Sequence, residues 1–168
     1  MSTVSINYSS YATFTIAPEN VASSPTWTAG VESTAIDNST NLYVDALVSG
    51  LWTCGTTPTA NTECRVYVYA QSDDSPTYQD VFDGTSSAET VTSAGVLVGV
   101  VKLLGTMYID ATTSNRAYYL APTSVAERFG GVLPKRWGLF IAHNTGVNSN
   151  STAGNHVWKY VGIKYDVA

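Results

Sequence analysis

The side chains best suited to chemistry in this chain are few: His143 and His156, Cys54 and Cys64, and five acids, Asp73, Asp74, Asp80, Asp83 and Glu89. Two histidines brought together by a hairpin are the raw material of a metal or proton-transfer site. A histidine at a strand end is more often simply hydrogen-bonded, and that is the reading adopted for both. Cys54 and Cys64 bracket a turn-rich loop that reads as the neck of a hairpin. They form either a disulfide or two reduced, partly buried thiols. The reduced pair is favoured, because nothing in the chain marks an oxidising compartment. Without CxxC spacing they are not a zinc site. The five acids lie within 71–95, where the ligand spacing of a calcium loop is absent, so a solvated acidic loop is expected. Asp45, Asp110 and Asp166 are isolated. No nucleophile elbow, zinc-protease helix or phosphate-binding loop string is present. The expectation is a protein that is not an enzyme, with no catalytic residue, no cofactor and no metal.

Composition narrows the partners. Of 168 residues only 12% are charged, about half the globular norm, and the formal net charge is −5. Nucleic acid is therefore an unsuitable partner, since phosphate neutralisation needs a basic patch. Lys135-Arg136, the one adjacent basic pair, reads as a solvated strand entry. No apolar run approaches the roughly 18 residues of a membrane span, and Met1 is not followed by the pattern of a secretory signal. The sequons at Asn7, Asn38 and Asn150 arise easily in a chain so rich in Ser and Thr. The length predicts a single domain over 1–168, with 1–16 as a possible N-terminal arm.

The elements that position these residues are mostly strands. Abundant Val, Thr and Tyr favour them, and helix-forming runs are scarce. Ser124-Val125-Ala126-Glu127 is a capping-box pattern, and Gly130-Gly131 with Pro134 supplies a stop, so one short helix is predicted near Val125–Phe129. The strand after it, Arg136 to Asn144, carries Trp137, Leu139 and Ile141 on one face and Phe140 and Ala142 on the other. With both faces apolar it is predicted to be covered on both sides. Cys64 to Ala70 reads as a half-buried strand, with Cys64, Val66 and Val68 opposite Arg65, Tyr67 and Tyr69. Further strands are expected over Trp27–Ile36, Leu42–Thr53, Val96–Leu104, Asn115–Ala121 and His156–Val167. A long polar loop fills 71–95, and 146–154 reads as a polar hairpin.

Eight to ten strands with turn signals between them predict an all-β, two-sheet jelly-roll sandwich. An immunoglobulin-like sandwich is the rival, but the chain is long for one and lacks its Cys–Trp–Cys spacing. Trp27, Trp52, Trp137 and Trp158 fall within these strands and are expected in the core rather than in an exposed row.

Two stretches carry a resemblance. Phe129-Gly130-Gly131-Val132-Leu133-Pro134-Lys135-Arg136-Trp137-Gly138-Leu139-Phe140, followed by Asn144-x-Gly146 and Tyr160-x-Gly162-Ile163, resembles the C-terminal part of small tailed-bacteriophage virion proteins. Ile36-Asp37-Asn38-Ser39-Thr40-Asn41-Leu42-Tyr43-Val44-Asp45 is similar to theirs as well. The resemblance covers about a fifth of the chain. It implies a jelly-roll capsid decoration or cement protein, commonly a homotrimer, bound to the major capsid protein on the virion surface. It brings no catalytic residues. A carbohydrate-binding sandwich and a receptor-binding tail-fibre or tail tip domain are the alternatives. The first would show an exposed aromatic row, and the second usually carries a stalk that is absent here.

Overall fold

The computed structural model describes residues 3–75 and 77–167; the first two positions of the expected arm, and Pro76 in the acidic loop, lie outside them. In chain order the strands are β1 (Val4–Tyr8), β2 (Ala12–Thr13), β3 (Ala29–Glu32), β4 (Ile36–Asp37), β5 (Asp45–Thr53), β6 (Thr62–Ala70) and β7 (Ser87–Thr90). A helix, α1 (Ala94–Val100), follows, then β8 (Lys102–Ile109), β9 (Ala117–Ser124), a 3-10 turn (Ala126–Phe129), β10 (Arg136–His143) and β11 (Val157–Val167).

The strands form two antiparallel sheets, ordered β1-β11-β5-β9 and β7-β3-β10-β6-β8, with β2 on β11 and β4 on β10. Setting aside the short β2 and β4 and the added edge β7, eight strands remain. In chain order the first, eighth, third and sixth share one sheet, and the second, seventh, fourth and fifth share the other. That interleaving is the jelly roll the strand inventory predicted.

Period-two alternation builds the core between the sheets. Ala46, Val48 and Trp52 from β5 and Trp158 from β11 meet Cys64, Val66 and Val68 from β6 and Trp137, Leu139 and Ile141 from β10. The other faces of β6 and β10 are covered too. Tyr67, Tyr69, Phe140 and Ala142 pack under Phe82, Val91, Leu97 and Val101. The double covering expected of β10 is observed, and it extends to β6. That strand is buried along most of both faces rather than half-buried.

Four local expectations need correction. The apolar run at 96–104 was predicted as a strand, but its first part is α1. Ser93 caps it, its Oγ accepting from the Val96 amide, and Leu97 and Val101 turn one face onto β6 and β10. A short apolar run does not by its periodicity distinguish strand from buried helix. The predicted helix near Val125–Phe129 is a single 3-10 turn over Ala126–Phe129. Gly130 ends it at φ 76° as expected. Of the capping box only the hydroxyl half forms. Ser124 Oγ accepts from the Glu127 amide at 3.1 Å, while the Glu127 carboxylate lies 3.6 Å from Arg128. Finally, the loops after Cys54 and after His143 are not hairpins. Each crosses from one sheet to the other, because β5 and β11 belong to one sheet and β6 and β10 to the opposite one.

Candidate functional site

The two histidines do come together, but as structure. Both lie against the Trp52 ring, with centroids 5.0 Å (His143) and 6.2 Å (His156) away. His156 Nδ1 accepts the Thr53 amide at 3.3 Å and its Nε2 donates to the Asn150 carbonyl at 3.0 Å, which fixes a neutral ring. His143 Nε2 meets the Val21 carbonyl at 3.0 Å and its Nδ1 the Thr145 hydroxyl at 3.0 Å. With all four ring nitrogens engaged, these residues tie the 14–28 and 144–156 loops to the end of the core. Burial holds the His143 pKa down at about 4 and pushes that of His156 down as well.

Cys54 and Cys64 are free, buried thiols in the same core. Burial raises both pKa values, that of Cys64 well above the ordinary thiol range. Three acids of 71–95 are engaged within their own loop. Asp80 accepts from the Thr92 amide and hydroxyl, Asp83 from the Thr85 amide and Glu89 from the Ser87 hydroxyl. Asp74 pairs with Lys135 at 2.7 Å, while Asp37, at the β4 turn, pairs with Arg136 at 2.6 Å. The basic pair at the β10 entry therefore latches two loops. Among the described residues no three His, Cys, Asp or Glu side chains gather as a metal site. Asn38 and Asn150 are buried and hydrogen-bonded within the chain.

One functional-looking group was not legible beforehand. Glu32, fully buried, accepts the Gly84 amide at 2.7 Å and the Asp83 amide at 3.3 Å. Desolvation lifts its pKa to about 7. On alternation alone it reads as the solvent side of β3. Its burial comes from the 71–95 segment, which folds back over the sheet instead of reaching outward.

Two exterior surfaces remain. The first is a groove of about 650 Å³ beside α1, lined among others by Trp27, Arg65, Leu97, Val98 and Leu103. Trp52, Trp137 and Trp158 are in the core as expected. Trp27 is not: it sits outside any strand at φ 55°, half-buried, with the Arg65 guanidinium 3.6 Å over its ring. That stacking occupies one face of the one tryptophan otherwise placed to act as a sugar platform.

The second surface is the exterior face of the β1-β11-β5-β9 sheet. Residues between the core positions of β5 and β11 point to the outer side: Leu47 and Leu51, then Val157, Ile163 and Tyr165, with the buried Val161 among them. Opposite-pair register places Ile6 beside Tyr165 and Tyr8 beside Ile163 on that same side, and Tyr119 beside Leu51. Val4, Ile6, Tyr8 and Tyr165 are each 60% or more exposed, and Tyr119 is 71% exposed. Val161, at the centre of this face, is only 4% exposed, and Asp45 and Tyr165 share a cleft with Glu127 and Val132, so the open parts are the β1–β11 ribbon and the surroundings of Tyr119.

The fold defines a class, the all-β jelly-roll sandwich, and no more than that. The chain matches no protein-family model, no curated protein and no solved structure.

Proposed function

We propose that this protein is a non-enzymatic virion structural protein. It decorates or cements the outer face of a tailed-phage shell as a homotrimer, with the major capsid protein as its partner. The observation that carries the reading is the asymmetry of the sandwich. One exterior face is sealed by the chain's own helix and loop, and the other leaves Val4, Ile6, Tyr8, Tyr119 and Tyr165 exposed, as in a part built for an assembly. The two stretches similar to small virion proteins support the same reading, as does the scarcity of charge. Each contact to a shell can be modest, because a trimer on a repeating lattice binds through several at once. Closed threefold assembly suits points of local threefold symmetry.

The test is co-sedimentation of the purified protein with assembled shells, together with its copy number in purified virions. A fixed copy number and saturable binding are expected. A strict monomer absent from virions would end this reading in favour of a free sugar-binding module. The sugar reading has one point in its favour, the exposed tyrosines, but their neighbours Val4, Ile6 and Leu51 are aliphatic. A sugar platform needs hydrogen-bonding groups beside its rings.

A further inference from the structure

We propose that the groove beside α1 is a binding site for a small amphiphilic acid, an aliphatic chain ending in one carboxylate. The groove belongs to the sheet opposite the exposed β1–β11 ribbon, so its occupancy goes beyond the decoration reading and stands without it.

Three separate parts of the chain line the groove. Register sets Tyr67 on β6 opposite Leu103 on β8, and this pair supplies the sheet side. The 25–27 turn supplies Trp27, and α1 supplies Leu97 and Val98. The α1 sequence AGVLVGV has no charged or hydrogen-bonding side chain. Leu97 is buried against the sheet, but Val98 stays 76% exposed and Leu103 45% exposed. A helix that only capped the sheet would turn polar residues to solvent there. The hollow is about 650 Å³, within the roughly 300–1,000 Å³ of small-molecule pockets. A concave site of that size suits a small ligand better than the broad area of about 800 Å² that a protein partner covers.

Trp27 is held in the groove against its local preferences. Its φ is 55°, in the left-handed region that bulky side chains avoid, and its buried Nε1 has no hydrogen-bond partner. Neither feature stabilises the fold. Both persist because the turn is fixed from elsewhere. The Trp27 amide donates to the Ser24 carbonyl at 3.0 Å, and the Val91 amide donates to the Thr28 carbonyl at 2.9 Å. Unfavourable local geometry retained in this way points to a use for the residue, here as a fixed wall of the groove.

Charge selects the occupant. The chain carries a net charge of −5, yet no acid lines this groove, while Arg65 and Lys102 both do. Arg65 is committed, paired with Glu63 at 2.8 Å and stacked 3.6 Å over Trp27. Lys102 is not. Six of the eight basic side chains form ion pairs among the described residues, and Lys102 and Lys159 are the two that do not. One unpaired ammonium beside an aliphatic hollow fits one carboxylate on an aliphatic tail. Arg65 lies opposite Thr106, and Lys102 lies opposite Val68. The two cations are thus about three residues, or roughly 10 Å, apart along the sheet, and the tail has that length to fill.

The experiment is isothermal titration calorimetry of octanoate into the full chain, with octylammonium as the probe of opposite charge. One saturable site is expected, with a Kd of about 0.1–1 mM for a ligand of about ten heavy atoms. Octylammonium should bind at least about 10-fold more weakly, although the chain as a whole is acidic. Lys102→Gln should weaken octanoate by about 5-fold. Val98→Asp, which sets a carboxylate on the apolar wall, should weaken it by at least about 10-fold. Lys159→Gln should leave it unchanged, and circular dichroism should be the same for all. If Val98→Asp does not fold, the exposed Lys102 carries the test through Lys102→Gln. An absence of saturable octanoate binding below about 10 mM overturns the inference. So does octylammonium binding as tightly as octanoate, or full octanoate binding by the folded groove variants. An equal loss in Lys159→Gln overturns it too, because the charge would then act without the groove.

Discussion

The Glu32 carboxylate holds the Gly84 amide at 2.7 Å, so a buried acid pins the 71–95 cover onto its sheet. Its pKa is raised to about 7, so the folded state holds the proton more tightly than the unfolded chain. Stability from this group is present below about pH 4.5 and lost as the pH rises toward 7. Glu32→Gln keeps one oxygen for the Gly84 amide but sets an NH2 donor against the Asp83 amide, so it is expected to lie below wild type near pH 4 and to gain on it by about 2 kcal/mol by pH 8. Urea unfolding at the two pH values measures this, and a variant that loses ground to wild type between them would show that the ionised acid is the stabilising form.

His143 runs the other way. Its pKa is lowered to about 4, so its contribution is complete above about pH 6.5 and lost as the pH falls through 4. Over pH 4.5–6.5 the Glu32 and His143 slopes oppose each other, and wild-type stability should vary little there. His143→Gln should tip the balance toward the Glu32 slope, so that stability falls more from pH 4.5 to 7 than in wild type, with His156 still opposing it. A pH-independent His143→Gln variant would count against this pairing.

Glycine substitutions separate close packing from open surface. A Cβ at Gly138 would enter the Tyr69 ring, whereas one at Gly99 in α1 meets nothing within 4 Å. Gly138→Ala is expected to cost about 1–3 kcal/mol by overpacking. Gly99→Ala should add about 0.5–1 kcal/mol through helix propensity. Thermal melts of both report the difference, and equal effects would mean that Tyr69 yields freely.

The thiols offer a chemical check. Cys54 and Cys64 are buried and free, with raised pKa values. In native protein at pH 8 an alkylating reagent is expected to leave both unmodified, with two equivalents taken up in denaturant. Mass spectrometry counts the adducts; rapid native labelling would mean that the 54–64 arch opens.

The α1 cap is local. Ser93→Ala removes the acceptor for the Val96 amide and is expected to cost about 1 kcal/mol. Amide exchange should rise in α1 while β10 stays protected.

The sequence by itself determined the class of fold and much of the core. Alternation in β10, β6, β5 and β11 marks which residues alternate between two faces, and turn residues mark most strand ends. The apolar character of both β10 faces already implied a third layer. What filled that layer was decided only by tertiary structure. The run at 96–104 is short enough to suit strand or helix, and it became α1 because the outer faces of β6 and β10 offered Leu97 and Val101 a place to bury. The burial of Glu32 was hidden for the same reason, since its cover comes from residues more than fifty positions away in the chain. The open face was hidden too. Leu47, Ile163 and Ile6 look like ordinary strand residues until register sets them side by side. Alternation tells that a strand has two faces, but only long-range pairing tells which of them meets the core, the chain's own cover or solvent.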